Sequence, residues 1–500
     1  MNDNLLSRRR AAKIFAAMAT VGSIEAEPDN AEIRDAMNSD RAAISKAESD
    51  PTRPVYHFHP PANWNNDPNG TVWYKGWHHL FYQHNPYGAV WGHMHWGHAR
   101  SRDLVNWEHL PIALWPSKEK GEEHVFSGAA IAGPDGRPWL FYTSIGDRPP
   151  EQWLAIPDDD DLIKWKKHPA NPILTPAIHG AVKVNEWRDP FLFREAATAY
   201  MVCGGNLQET GGRAAVQLYE ATSESLTRWK YRGPVFEYRD REVYNIECPN
   251  LFRLGAKWVL LISPEKPCEY FVGDLDFARA KFIPETHGIL DAGRSYASNI
   301  SFDNRGRCIL WLWGRTDTNP VRGWNNVMAL PRILSIGADG YLRQSPAPEF
   351  ESLRREVKTI PAMELNNGPV SLSDQVSGDC LEFEAEFAAG GATSMGLNVR
   401  CGPAGRSGLK IAFDPTNGTL SAGDARTSVS RSKTVRLRGF LDKRAVEVYA
   451  NDGEAAIFTT TDAGPEATGL EVFAAGGAAR LAYLKVWPLK PAGFSLDLFH

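Results

Sequence analysis

Four polar residues recur along the chain at nearly constant separation: Asp67, Ser127, Asp189 and Glu247 stand 60, 62 and 58 residues apart. Three of the four are carboxylates. Each opens a stretch of alternating aromatic and β-branched residues, so the spacing predicts one strand-and-turn unit used repeatedly, with its opening residue always at the same end of the first strand. Matching ends of innermost strands surround the axis of a ring of such units, and Asp67, Asp189 and Glu247 should therefore converge on one axial pocket. Like charges confined there raise one another's pKa unless a cation holds them ionised, and Arg188 beside Asp189 is a ready partner. One ionised and one protonated carboxyl group flanking a cleft of Trp and Asn side chains can cleave a glycosidic bond. A third carboxylate can hold hydroxyls and favour an oxocarbenium-like transition state.

The elements that must position these groups run from residue 55 to 344. Five hairpins are legible: Gly70-Thr71-Val72-Trp73-Tyr74 to Gln83, Phe126 to Tyr142, Asp189 to Val202, Cys248 to Leu261, and Asn299 to Trp311. A polar-Leu-x-x-Trp marker falls between them at Asp103–Trp107, Asp161–Trp165 and Ser225–Trp229, with a degenerate echo from Leu275 to Phe282. A period near sixty built only of strands and turns predicts an all-β chain with a five-bladed β-propeller. From Val370 to Trp487, short alternating strands between Gly, Asp and Asn turns predict a β-sandwich. The expected divisions are an export signal over 1–26, a helix and linker over 27–54, the propeller over 55–344, a linker helix within 345–369, the sandwich over 370–490 and a tail over 491–500. Taken alone, Asn66-Asp67-Pro68-Asn69-Gly70 is turn chemistry.

Composition narrows the partners. The 500 residues carry a formal net charge of −5, which supplies no basic field for nucleic acid or membrane, so a neutral or weakly charged partner fits. Seventeen Trp, fifteen Tyr and twenty-two Phe suit stacking against the apolar faces of sugars. Six cysteines without a CxxC pair read as buried free thiols, and the histidines between His57 and His98 lack metal-ligand spacing; no metal and no cofactor is implied. At the N-terminus, Arg8-Arg9-Arg10 before a short apolar run resembles a twin-arginine export signal and implies a periplasmic or extracellular protein. Ile33, Met37 and Ile44 then follow helical spacing.

The motifs Trp64-Asn65-Asn66-Asp67-Pro68-Asn69-Gly70, Phe81-Tyr82-Gln83, Trp91-Gly92-His93-Met94-His95-Trp96-Gly97-His98-Ala99, Phe126-Ser127-Gly128, Trp187-Arg188-Asp189-Pro190 and Glu247-Cys248-Pro249 together resemble glycoside hydrolase family 32, that of the invertases, inulinases and levanases. Leu437–Asp442 and Val446–Gly453 resemble its C-terminal sandwich. The resemblance implies a hydrolase of β-fructofuranosyl bonds in sucrose or fructans, with Asp67 as nucleophile, Asp189 as transition-state stabiliser and Glu247 as acid/base. It also implies fructosyl contacts from Trp64, Asn66, Gln83, Trp91, Phe126, Ser127 and Arg188, while Trp313 belongs either to the blade-five core or to the pocket rim. Facing positions on blades one and four predict a carboxyl separation near ~5–5.5 Å and retention of configuration. Two departures stand out: Asn65, where the family usually has Met, should touch the pocket wall, and Asn250, where it usually has Asp, should remove a charge near Glu247. A fructosyltransferase, an inverting arabinan or xylan hydrolase, and a non-catalytic sugar-binding propeller are the alternatives.

Overall fold

The computed structural model describes residues 31–208, 211–403 and 408–499; the expected export signal lies outside them. Five sheets, each built on four antiparallel strands, form the ring; blade one carries a further parallel strand at each edge and blade five a short extra strand. Their innermost strands are Asn63–Tyr74, Glu122–Ala132, Val184–Glu195, Glu247–Leu254 and Ser295–Phe302. Second strands such as Pro138–Gly146 and Lys257–Ser263 are covered on both faces by neighbouring blades, which accounts for unbroken apolar runs such as Trp139–Tyr142.

The recurrent Leu-x-x-Trp marker is a plug between blades. Leu104, Leu162 and Leu226 all adopt positive φ, at 62°, 58° and 55°, a conformation costing roughly 1 kcal/mol for a residue with a Cβ. Burial offsets that cost: all three side chains are at most 1% exposed, and the Trp165 and Trp229 indoles donate to the Leu162 and Leu226 carbonyls at 2.8 Å.

Blade five leaves its own sheet between Cys308–Gly314 and Arg332–Ile336. In that excursion Trp324–Asn325 pairs in parallel with Asn63 and Trp64 of blade one, closing the ring. Helix Ala31–Glu48 bears the expected apolar spacing and buries Ala36, Met37, Asp40 and Ala47. Buried Asp40 accepts from Asn63 at 2.8 Å and pairs with His84 at 2.6 Å, fastening the helix to blade one. The final residues also return there: Phe494–Ser495 adds to the strand Trp107–Leu114, and Phe499 is buried.

The stretch 345–369 differs from the expected linker helix. One 3-10 segment, Pro348–Leu353, precedes the strands Lys358–Ile360 and Met363–Ser371. Both pair with the twenty-residue strand Gly469–Pro488, which also pairs with Cys380–Ala389 and Ser394–Cys401 and so runs through both layers of the sandwich. Charged residues from Glu349 to Lys358 suggested a solvated helix, but the alternation in the second half of the segment is that of an edge of the sheet.

Between propeller and sandwich lies a seam of fully buried charge. Asp442 accepts from the backbone N–H groups of Val55, Tyr56 and His57 at 2.7–2.8 Å. The His57 ring bridges Asp442 and Glu447 at 3.0 and 3.2 Å, and Arg332 joins Glu447 at 3.0 Å to Asp291 at 2.7 Å.

Candidate active site

All five innermost strands are irregular at the same level. Each shifts register against its neighbour there: between Asn65 and Pro68, Val125 and Gly128, Glu247 and Asn250, and Tyr296 and Ser298, and in blade three opposite Val202 and Gly204. Such bulges re-aim side chains, and here they turn Asp67, Ser127, Asp189 and Cys248 towards the axis. The Asn-Asp-Pro-Asn-Gly segment is therefore a bulged strand rather than a turn. Pro68, Pro190 and Pro249 sit where the ladder is already broken and no N–H is required. Asp189 and Cys248 hold φ of 61° and 45°, so the bulges store backbone strain. Gly128 leaves no alternative, since a Cβ would lie 1.9 Å from the Phe141 carbonyl oxygen.

Asp67 belongs to a closed circuit of hydrogen bonds. Asn66 Nδ2 donates to Asp67 Oδ1 at 3.0 Å and to Gln83 Oε1 at 2.7 Å, Gln83 Nε2 donates to Ser127 Oγ at 2.8 Å, and Ser127 donates to Asp67 Oδ2 at 2.5 Å. Trp64 Nε1 donates to Asn66 Oδ1 at 2.8 Å, joining the pocket wall to this ring. Burial pushes the Asp67 carboxyl up, and the Ser127 and Asn66 donors oppose it.

Asp189 and Glu247 come together through two bridges. The Cys248 N–H donates to Asp189 Oδ2 at 3.0 Å, and the Cys248 thiol lies 3.5 Å from Asp67 Oδ2 and 3.7 Å from Asp189 Oδ2. The Arg188 guanidinium donates to Glu247 Oε1 at 2.8 Å and lies 4.0 Å from Asp189. Burial pushes Asp189 up to about 7, with Arg188 opposing and the negative charges of Glu247 and Asp67 adding to the rise. Burial likewise lifts the Cys248 thiol, so it is a space-filling S–H donor that touches the two aspartates rather than a nucleophile.

The other expected contacts divide by position. Trp313 packs edge-on to Trp64, ring centres 6.1 Å apart, and is half-buried at the rim. Phe126 is half-buried, and Trp91, 51% exposed, stands against it and His124 at 6.2 and 5.2 Å. Both departures from the motifs prove to be rivets between blades. Asn65 is fully buried, not on the pocket wall; with its amide oriented to donate, it reaches the carbonyls of Asn326 and Asn325 at 3.0 and 3.1 Å. Asn250 donates to the carbonyls of Cys248 and Ser298, both at 2.9 Å, which an ionised Asp cannot do.

Tyr296 was missed by the sequence reading. Its hydroxyl donates to Glu247 Oε2 at 2.6 Å, can turn instead to the Ser263 carbonyl at 3.1 Å, and accepts from the Glu265 N–H at 3.0 Å. The recurrence gave a signal, because reading the fifth unit back from Asn299 to its bulge reaches Ser295-Tyr296. Thr143 was also missed; its Oγ1 accepts from the Asp189 N–H at 2.9 Å.

A five-bladed propeller whose bulged inner strands gather three carboxylates, one guanidinium and a rim of indoles defines a glycoside hydrolase. Comparison with known proteins agrees and narrows it. Residues 57–346 match the family described as Glycosyl hydrolases family 32 N-terminal domain, and residues 349–488 match Glycosyl hydrolases family 32 C terminal. The chain is 32% identical to a levanase of Bacillus subtilis (strain 168) over 91% of its own length and 73% of that protein. It is 30% identical to a sucrose-6-phosphate hydrolase of Escherichia coli, covering 87% and 94%. The structure of fructan 1-exohydrolase IIa from Cichorium intybus in complex with 1-kestose superposes with a TM-score of 0.80 at 26% identity, covering 89% and 98%. The chain belongs to glycoside hydrolase family 32 and is an enzyme of the β-fructofuranosidase type.

Proposed function

We propose that this enzyme releases β-fructofuranosyl units from sucrose or fructans by a retaining double displacement. The relatives named above, a levanase and an exohydrolase bound to 1-kestose, support that substrate class. The observation that carries the mechanism is the setting of Glu247. In a retaining reaction one residue is acid in the first step and base in the second, so its surroundings must accommodate both protonation states. With Glu247 ionised, Arg188 and Tyr296 both donate to it. With Glu247 protonated, the Tyr296 hydroxyl turns its hydrogen to Ser263, and Glu247 is free to give its proton away.

Asp67, aimed by Ser127 and Asn66, attacks the anomeric carbon of the fructosyl unit as the bond to the leaving oxygen breaks, and Glu247 protonates that oxygen. A fructosyl ester on Asp67 results. Glu247, now the base, takes a proton from water, which attacks the same carbon and frees Asp67. Asp189, held by Arg188 and the Cys248 N–H, binds sugar hydroxyls as positive charge develops on the ring. The test is chemical rescue. Glu247→Ala should retain turnover on fructosides with good leaving groups and regain it with azide, giving a product of retained configuration, whereas Asp67→Ala should lose ~10⁴-fold or more and give only an inverted azide product. An inverted azide product from Glu247→Ala would exclude the retaining route.

A further inference from the structure

Arg188 meets a third carboxylate, Glu186, that no step of the reaction above uses. Its Nη2 donates to Glu247 Oε1 at 2.8 Å and its Nε lies 4.0 Å from Asp189, while Nη1 donates to Glu186 twice, to Oε2 at 2.5 Å and to the backbone carbonyl at 3.2 Å. A second bulge in blade three brings this about. Glu186 and Trp187 together stand opposite Gly205, between the pairs Asn185–Asn206 and Arg188–Gly204. There Glu186 holds φ at 51°, a strained conformation for a residue with a Cβ, while Trp187 is buried against the His179 ring, centres 4.8 Å apart. Blade four closes on the same strand, where a Cβ on Gly204 would lie 1.9 Å from the Ile246 carbonyl oxygen, and so delivers Glu247 to the other arm of the fork. Packing of its own side chain does not explain the strain at Glu186, which is 44% exposed against 15% for Arg188. Its grip on the guanidinium does.

Glu247 faces Arg188 and the Tyr296 hydroxyl as donors, Asp67 and Asp189 as like charges, and the Cys248 thiol beside it; the Arg315 guanidinium lies behind the Tyr296 ring, 5.0 Å from its centre. Glu186 joins this set through the guanidinium it shares. Its charge takes up part of the field that Arg188 would otherwise exert on Glu247 and adds a negative charge on the far side, so it favours the protonated acid that the first step needs. Its two acceptors also hold Nη1 outward, which leaves Nη2 aimed at Glu247.

Building on the acid/base reading of Glu247, we propose that Glu186 is a positioning residue, which holds the Arg188 fork on Glu247 and tempers its charge so that Glu247 keeps its proton for the leaving oxygen. The test follows kcat and kcat/KM on sucrose against pH in the wild type, Glu186→Gln and Glu186→Gly, with melting temperatures alongside. Gln keeps an acceptor for Nη1 but loses the charge; Gly loses both and relieves the backbone. In both variants the alkaline limb of the kcat/KM profile should move towards acid by roughly half a pH unit or more, because Glu247 gives up its proton sooner. Glu186→Gly, with the fork unheld, should also lose roughly tenfold in kcat at its own optimum while KM and melting temperature change little. A merely structural bulge predicts the reverse, a shifted melting temperature with the limb in place. Either variant keeping the wild-type limb overturns the role. Azide rescue of Glu247→Ala tests the acid/base reading separately: if rescue holds and the limb does not move, only the part given to Glu186 falls.

Discussion

The molecule gathers three carboxylates in two places, and the company they keep separates a working site from a structural one. At the domain seam, Asp291, Asp442 and Glu447 are fully buried but meet two cations, Arg332 and His57, and the backbone N–H groups of Val55, Tyr56, His57, Leu330 and Phe458. At the axis, Asp67, Asp189 and Glu247 share one guanidinium, the single backbone N–H of Cys248 and a few side-chain donors. Burial pushes Asp291 and Glu447 up at the seam, and Asp67 and Asp189 up at the axis. At the seam Arg332 and His57 outweigh it and draw Glu447 down to about 2, whereas at the axis Asp189 rises to about 7. Two cations on Glu447 make a joint, although Asp291 beside Arg332 stays raised by burial; thinner compensation at the axis leaves protons able to move and charge available to a substrate.

The sharpest way to break this comparison is to uncompensate the seam. Glu447→Ala should cost about 3–5 kcal/mol, because Arg332 and His57 stay buried without their shared partner. Thermal unfolding would show it. The pH dependence has a definite sign. Glu447 lies at about 2 against an ordinary 4.5, so its contribution is present above 4.5 and lost as pH falls towards 2. Although burial pushes His57 down, Asp442 and Glu447 raise it from 6.5 to about 9, so its contribution is full below 6.5 and lost as pH rises through 9. The seam should therefore be firmest between about pH 4.5 and 6.5, and the same stability slope on either side in wild type and in Glu447→Ala would break the assignment.

At the axis, Tyr296→Phe tests whether donors there work by turning. It should lower kcat roughly tenfold and narrow the pH–rate profile while KM and the melting temperature change little. A purely structural tyrosine would instead lower stability and leave the profile in place. The smallest effect sharpens the contrast from the opposite side. Asp189 is raised from 3.8 to about 7, so its contribution is present below 3.8 and lost as pH rises through 7. Asp189→Asn should be inactive yet more stable than the wild type by about 1 kcal/mol or more at pH 8, the two converging near pH 4. Unfolding curves at both pH values check this, and an Asn variant less stable at pH 8 would place Asp189 with the structural carboxylates.

The contrast also explains what was legible in the sequence. The axial cluster repeats with the blades, so Asp67, Ser127, Asp189 and Glu247 could be aligned from spacing alone, and the Leu-x-x-Trp marker gave the ring. The seam does not repeat. His57, Asp291, Arg332, Asp442 and Glu447 are scattered over nearly four hundred residues, and each reads locally as a surface polar residue, so only the docking of two domains brings them together. Tyr296 was missed because the fifth unit was read from its regular strand rather than from its bulge. Asn65 and Asn250 were given to the pocket because they neighbour reactive residues in sequence. In a regular strand Asn65, two residues before Asp67, would share its face, but the register shifts between Asn65 and Pro68 and between Glu247 and Asn250 break that alternation and decide which side chain reaches the axis.

Blade one, which carries Asp67, is clasped at its inner edge by Trp324–Asn325 and at its outer edge by Phe494–Ser495. Asp67 is among the first parts of the described chain to be synthesised, yet its sheet is complete only when residues 494–495 have arrived. Pairings across more than two hundred and nearly four hundred residues carry a large loop-closure entropy and make assembly slow, so the early blade waits with two open edges. That order of events places activity at the end of folding. A chain truncated before residue 494 lacks the outer clasp, and a nascent one cannot hold the finished sheet until Phe494 and Ser495 are free to return.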